Sequence, residues 1–198
     1  MLALARAAIT ESILHDRLPD FSAPSGRLAE PSGAFVTLFH KVRLRGCVGF
    51  LGRDLSLAET VVQSSIGAAR NDPRFAAITA GELSEIEIEI SVLSEPQPVS
   101  AGEIETGVHG LLVARGRNRG LLLPQVAVEH SWSVLRFLEE TCRKAGLEAD
   151  AWRQPETRLW TFTAEIFSEK EPGPAAMSMS QAKQPSGQET PATPEPKG

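Results

Sequence analysis

Apolar residues recur at helical spacing in three stretches of the chain. They fall on one side of a helix in residues 1–15, and the same spacing recurs over residues 57–70 and from about residue 131 to 144. Ser56 and Glu59 have the spacing of a capping box, in which the two side chains bind backbone N–H groups that the first turn leaves free. The pattern therefore predicts three helices, the second with a defined start.

Other stretches alternate between apolar and polar residues, or are rich in β-branched and aromatic residues, as strands are. In residues 85–92, isoleucine and valine alternate with glutamate and serine, which predicts a strand with one buried face and one solvated acidic face. Residues 116–119, Gly-Arg-Asn-Arg, predict the basic tip of a hairpin. The full set of predicted strands is Ala34–His40, a following strand that ends at Cys47, 85–92, 108–115, 120–123 and 158–167.

The order of these elements indicates the fold class. Helices and strands alternate irregularly, which favours an α+β fold over a doubly wound parallel sheet, with largely antiparallel sheets and flanking helices. Neither a GxGxxG motif after a strand nor a Walker loop occurs, so nucleotide-binding folds have little support. The predicted folded part is residues 1–167. Residues 168–198 contain no aromatic residue, Leu, Ile or Val and are predicted to be disordered.

Composition narrows the function classes. The chain has 198 residues, 41% of them hydrophobic, and a formal net charge of -5. The acidic total argues against a nucleic-acid binder, and no apolar run approaches the roughly 20 residues that span a bilayer. The first residues lack the pattern of a signal peptide. Two cysteines outside any CxxC pair predict a cytoplasmic protein with free thiols.

Several candidate functional residues lie in one short stretch, Leu44-Arg45-Gly46-Cys47-Val48-Gly49. Glycines at positions 46 and 49 allow another chain or a ligand to approach the backbone. Nearby positive charge favours the reactive thiolate form of a cysteine. Cys47 is therefore the candidate nucleophile, Arg45 the candidate anion clamp, and Gly46 and Gly49 candidate binding positions. A small buried cysteine beside a tight turn, and an arginine paired with Asp72 or Glu59, are the alternatives that involve no chemistry.

Further candidates surround this stretch. A nucleophilic cysteine needs a base, and His40 and His109 are the histidines considered for that role, although neither spacing is specific. Arg74, after Asp72 and Pro73, is a candidate binding residue at a turn. No close pair of metal ligands is present, so no metal or cofactor is expected. Arg115, Arg117 and Arg119 make the hairpin tip basic without interleaved aromatics, and Cys142 is expected in the core.

Several blocks together resemble the AMMECR family, in order and at similar spacing. The stretch 44–49 looks like the signature of that family, which usually has Ile at the position of Val48. The other blocks are 71–75 (Asn-Asp-Pro-Arg-Phe), 86–96, 120–127, and 142–147 with Trp152 downstream. The resemblance covers about residues 4–167 and implies two intimately packed subdomains with the signature near the cleft between them.

The resemblance also implies a functional setting. The family includes the A component of the AmmeMemoRadiSam system, so a MEMO-type protein and a radical SAM protein are expected partners. This chain has no CxxxCxxC pattern for an iron–sulfur cluster. The leading hypothesis is a thiol-dependent enzyme or enzyme component that uses Cys47 with Arg45 on an anionic substrate. The alternatives are a non-catalytic adaptor that docks partners at the 44–49 cleft, and an RNA-binding accessory protein.

Overall fold

The computed structural model describes residues 1–21 and 24–169. The helices are α1 (Leu2–His15), α2 (Leu57–Ile66), α3 (Pro124–Glu129) and α4 (Val134–Lys144). The strands are β1 (Ala34–His40), β2 (Arg43–Phe50), β3 (Ile86–Leu93), β4 (Gln97–Pro98), β5 (Gly110–Arg115), β6 (Asn118–Leu122), β7 (Arg158–Phe162) and β8 (Ala164–Ser168). They form two four-stranded antiparallel sheets in the orders β2-β1-β3-β8 and β4-β7-β5-β6, so the predicted α+β class is confirmed.

The first sheet and helices α1 and α2 make up the first lobe. Its core lies between the helices and the sheet face that carries Val36, Leu38, Ile88 and Ile90, all fully buried. Successive residues of a strand point to opposite faces, so the intervening glutamates of β3 lie on the other face. Those glutamates are half-buried, whereas the sequence predicts them to be solvated, because the second lobe adjoins that face.

The second sheet and helices α3 and α4 make up the second lobe. Phe137, Leu138 and Cys142 on α4 pack against the buried face of β5, so the prediction that Cys142 is a core residue is confirmed. Leu135, elsewhere on the same helix, is 47% exposed. Helix α3 was not expected from the helical spacing, because it is only six residues long and begins at Pro124.

The second lobe is inserted between two adjacent strands of the first. The chain leaves the first sheet at Ser94 and returns at Thr163, and these two residues are hydrogen-bonded to each other. The predicted strand 158–167 is therefore two strands in different sheets. A third apolar cluster, centred on Leu93, Leu123 and Phe162, packs the lobes together.

The boundaries of β2 and α2 also differ from the predictions. β2 continues three residues beyond Cys47, to Phe50. The helix predicted over 57–70 is α-helical only to Ile66 and continues as a π-helical turn, Gly67–Asn71. The capping box of Ser56 and Glu59 at its start is confirmed.

Pairing in the first sheet continues past residue 167, the predicted end of the folded part. Ser168 pairs with Glu89 in the first sheet. Glu169 donates its backbone N–H to Ile88, and its side chain forms an ion pair with Arg6. The rest of the predicted disordered tail lies outside the described residues.

Candidate functional site

Cys47 lies on the face of the first sheet that is turned away from α1 and α2. It is directly opposite Thr37 on β1, and the Thr37 hydroxyl lies 3.3 Å from its Sγ atom as a hydrogen-bond donor. The thiol is half-buried, whereas Cys142 is fully buried. Burial raises the pKa of the Cys142 thiol, which disfavours its reactive thiolate form.

Asp72 and Arg74 occupy the free edge of β2 at Cys47. The Asp72 carboxylate accepts the backbone N–H of Cys47 at 2.8 Å, and the Arg74 guanidinium donates to its carbonyl at 3.3 Å. The two side chains also form a forked ion pair, with N–O distances of 2.9 and 2.7 Å. The Asp72 carboxylate and the Arg74 guanidinium thus take the places that the carbonyl and the N–H of a neighbouring strand would occupy.

The turn that carries Asp72 follows from the sequence. Proline disfavours helical geometry at the residue before it, and Asp72, before Pro73, is extended at φ -73° and ψ 113°. This ends the π-helical turn and directs the carboxylate back to β2. Asp72 is only 4% exposed, and its hydrogen bonds to Arg74 hold its pKa well below the ordinary value of 3.8, so it is ionised in the folded protein.

Gly46 and Gly49 accommodate the protein's own chain. A Cβ atom at Gly46 would lie 2.1 Å from the carbonyl oxygen of Ala68 in the π-helical turn. A Cβ atom at Gly49 would overlap the ring of Phe35. Both candidate binding positions are therefore filled by internal packing. At Gly46, this packing brings the π-helical turn close to β2.

Arg45 points away from Cys47. The pairing of β1 and β2 shifts between Leu38 and Phe39, which leaves Arg45 as the extra residue of a β-bulge. Its guanidinium pairs with Glu82 at 2.8 Å and donates to the carbonyls of Ala76 and Ala77. Neither Asp72 nor Glu59 is its partner, and this arginine braces the segment after the Asp-Pro-Arg-Phe element. The hydrogen bond from Arg45 lowers the pKa of Glu82 to about 2.

Lys144, the last residue of α4, lies within electrostatic range of Cys47 from the other lobe. Gly120 allows this placement, because the end of α4 packs directly on the backbone of β6. Much of the Lys144 residue is exposed, but its ammonium group is partly desolvated, which lowers its pKa. The charge of Arg74 also lowers the pKa of Lys144, whereas Cys47 raises it. The three groups therefore lie within electrostatic range of one another. No carboxylate pairs with Lys144 in residues 1–21 and 24–169.

The candidate bases lie elsewhere. His40 is three residues along β1 from the partner of Cys47 and contacts Glu85 at 2.9 Å. His109 precedes β5 in the second lobe, where its Nδ1 accepts the backbone N–H of Glu105 at 3.1 Å. Arg74, which the sequence offers only as a candidate binding residue at a turn, lies at Cys47. Lys144 was missed, because its only signal in the sequence is its position at the end of a predicted helix.

Within the described ranges, no group of three or more His, Cys, Asp and Glu side chains is arranged to hold a metal ion. In the same part of the chain, no helix combines the length and the apolar character needed to cross a bilayer.

The fold and the blocks around Cys47 define an AMMECR1-type protein. The AMMECR1 family model matches residues 2–167, and the chain belongs to this family, as its resemblance predicted. A protein of Methanopyrus kandleri is 41% identical over 182 residues, which cover 87% of this chain and 88% of that protein. A protein of Thermococcus kodakarensis is 42% identical over 185 residues, which cover 87% and 90%. The crystal structure of an uncharacterized protein from Pyrococcus horikoshii matches with a TM-score of 0.82 and 38% identity, covering 86% of this chain and 90% of the other.

Proposed function

We propose that this protein is a thiol-dependent enzyme, or a component of one, in which Cys47 acts on an anionic substrate. The observation that carries the proposal is the half-buried Cys47 thiol beside the Arg74 guanidinium, with Asp72 fixing the backbone at the same residue. The role first assigned to Arg45 passes to Arg74 and Lys144. Arg45 is engaged by Glu82 and does not reach the thiol.

The charges at the site suit this chemistry. The thiolate is the nucleophilic form of cysteine, and neighbouring cations stabilise it. Arg74 is neutralised by Asp72, whereas Lys144 has no such partner among the residues described. Lys144 is therefore the cation available to attract the negative group of a substrate. A guanidinium at the same place offers planar hydrogen bonds to a carboxylate or a phosphate.

Two alkylating reagents of different charge test the proposal. Iodoacetate and iodoacetamide each transfer a carbon to the thiolate sulfur with loss of iodide, but only iodoacetate is anionic. We expect Cys47 to react much faster than Cys142 in the folded protein. We also expect the ratio of the iodoacetate rate to the iodoacetamide rate at Cys47 to exceed that of a free thiol such as glutathione. Peptide mass spectrometry over time measures both rates at each cysteine.

Neighbouring residues of α4 provide a matched control. Lys144→Gln is expected to lower the rate ratio at Cys47 by about 2- to 10-fold at low salt, as loss of one nearby cation would. Arg143→Gln removes the same charge one residue away, where the side chain pairs with Glu140, and is expected to leave the ratio unchanged. A rate ratio equal to that of glutathione in the unsubstituted protein would overturn the proposal.

One observation favours the adaptor as a second candidate. Gly46, Gly49 and Arg45 are all engaged in internal packing or pairing, so most of the signature stretch builds the fold rather than a substrate pocket. The partners proposed for such an adaptor are the MEMO-type and radical SAM proteins of the AmmeMemoRadiSam system. A Cys47→Ser protein that still co-purifies with them and retains cellular function would favour the adaptor. Loss of function with retained binding would favour thiol chemistry.

A further inference from the structure

A groove of about 700 Å³ opens on the second lobe beside the edge of its sheet. Strand β4, which is only two residues long, forms one side, and β7 together with the turn at Trp152 forms the rest. Trp152, Trp160 and Pro98 supply broad apolar surfaces along it. Grooves lined by aromatic rings are the usual docking sites of proline-rich segments in the polyproline II conformation.

The groove also carries positive charge. Arg153 and Arg158 line it and are exposed, and the Arg153 guanidinium stacks over the Trp152 ring at 4.3 Å. Neither arginine forms an ion pair within the described part of the chain. An occupant that combines proline with a carboxylate would complement both the rings and the charge.

Two polar atoms of groove residues lack partners. The indole N–H of Trp152 and the hydroxyl of Thr157 are buried without a hydrogen bond among the described residues, and Thr157 is 9% exposed. Buried polar groups nearly always find partners in folded proteins. Both atoms are covered by surrounding protein atoms, so the complementarity of the groove to an occupant comes from its rings and its two arginines.

We infer that residues 190–197 of this chain, Thr-Pro-Ala-Thr-Pro-Glu-Pro-Lys, dock in this groove in the polyproline II conformation. The segment has prolines at 191, 194 and 196 and a carboxylate at 195, which matches the rings and the two arginines. The inference concerns a surface separate from the Cys47 thiol and does not rest on the function proposed for that residue.

The chain between the end of β8 and residue 190 is long enough for the segment to reach the groove. From Ser168 at the end of β8 back to Arg158 at the groove is at most about 33 Å, the length of ten strand residues. Twenty residues, 170–189, connect β8 to the segment, and twenty residues reach at most about 70 Å. This limit exceeds the distance to the groove, so docking within one molecule is within reach.

The three tryptophans allow a direct test in the full chain. Their indole N–H groups give three separate signals in a ¹H–¹⁵N correlation spectrum, and Trp132 lies outside the groove. Replacing Pro191, Pro194 and Pro196 together by Ala is expected to shift the Trp152 and Trp160 signals and to leave the Trp132 signal in place. The matched control replaces Pro172, Pro174 and Pro185 by Ala and is expected to shift none of them.

A second measurement separates docking within one molecule from exchange between two. The wild-type signals of Trp152 and Trp160 are expected to stay constant over about a tenfold dilution, because an attached segment has a fixed effective concentration. Arg158→Gln is expected to move them part of the way toward the proline variant. Unchanged signals in the 191/194/196 variant, equal shifts in both proline variants, or signals that depend on dilution would overturn the inference.

Discussion

At the scale of single residues, Asp72 organises the site. One buried carboxylate accepts the amide of Cys47 and two hydrogen bonds from the Arg74 side chain. Charge-assisted bonds of this kind are stronger than those between neutral groups. Asp72 thus fixes the backbone that carries the thiol and, through the same oxygens, the cation beside it.

The ion pair of Glu82 and Arg45 predicts a pH dependence of stability. The pKa of Glu82 is about 2 in the folded protein, below its ordinary value of 4.5, so ionisation favours the folded state. This contribution is present above about pH 4.5 and is lost as the pH falls toward 2. Both side chains are largely buried, and Glu82→Gln is expected to cost about 1–3 kcal/mol of unfolding free energy at neutral pH.

Urea unfolding at a series of pH values measures that contribution. The difference between the wild type and Glu82→Gln should shrink as the pH is lowered through the window from about 4.5 to about 2. Glu156→Gln removes the same charge at an exposed position and is the control, with little effect expected at any pH. A difference that stays constant down to pH 2 would contradict the assignment of the effect to this pair.

The candidate residues show which contacts a sequence can reveal. Cys47 and Arg74 belong to blocks whose chemistry stands out locally, and the turn at Pro73 brings them together. The direction of the Arg45 side chain depends on a β-bulge, which the alternation of apolar and polar residues does not indicate. The sequence therefore does not show that Arg45 turns away from Cys47. Lys144 is nearly one hundred positions from Cys47 in the sequence and comes within electrostatic range of it only because the two lobes pack together.

At the scale of elements, the close approach of the π-helical turn to β2 positions the site. The turn comes so near that the carbonyl oxygen of Ala68 occupies the space of a side chain at Gly46. π-Helical turns are rare and often lie at functional sites. Here the turn connects α2 directly to Asp72.

Gly46→Ala tests this packing. The added methyl group must displace backbone rather than a flexible side chain, so we expect a loss of about 3 kcal/mol in unfolding free energy. Gly102→Ala is the control, since no atom lies within 4 Å of the added Cβ, and it is expected to change stability by less than about 0.5 kcal/mol. Equal stabilities of the two variants in urea would contradict the close approach.

Local sequence patterns predict where most helices and strands lie but not which strands pair with each other. The period-two alternation of residues 158–167 correctly predicts extended chain. It does not reveal that the strand changes sheets at Thr163, because both halves keep the same period while pairing with different neighbours. The capping box of α2 is predictable because all its atoms lie within four residues.

At the scale of the whole molecule, the third apolar cluster couples the two lobes. All three tryptophans lie in the second lobe, so their fluorescence follows that lobe, whereas far-UV circular dichroism also follows α1 and α2. We expect the two signals to change together on unfolding of the wild type. Phe162→Ala should cost about 3–5 kcal/mol and move the fluorescence transition to lower urea than the dichroism transition. Coincident transitions in this variant would show that the cluster is not what joins the lobes.

The insertion of one lobe into the other has a consequence during synthesis. β8 leaves the ribosome only after the entire second lobe, so until then β3 is the outer strand of an unfinished sheet. Such a strand exposes unpaired N–H and C=O groups that can recruit other chains, and charged side chains discourage this. The glutamates at 87 and 89 put charges on β3, the strand that stays at the edge for as long as β8 is missing.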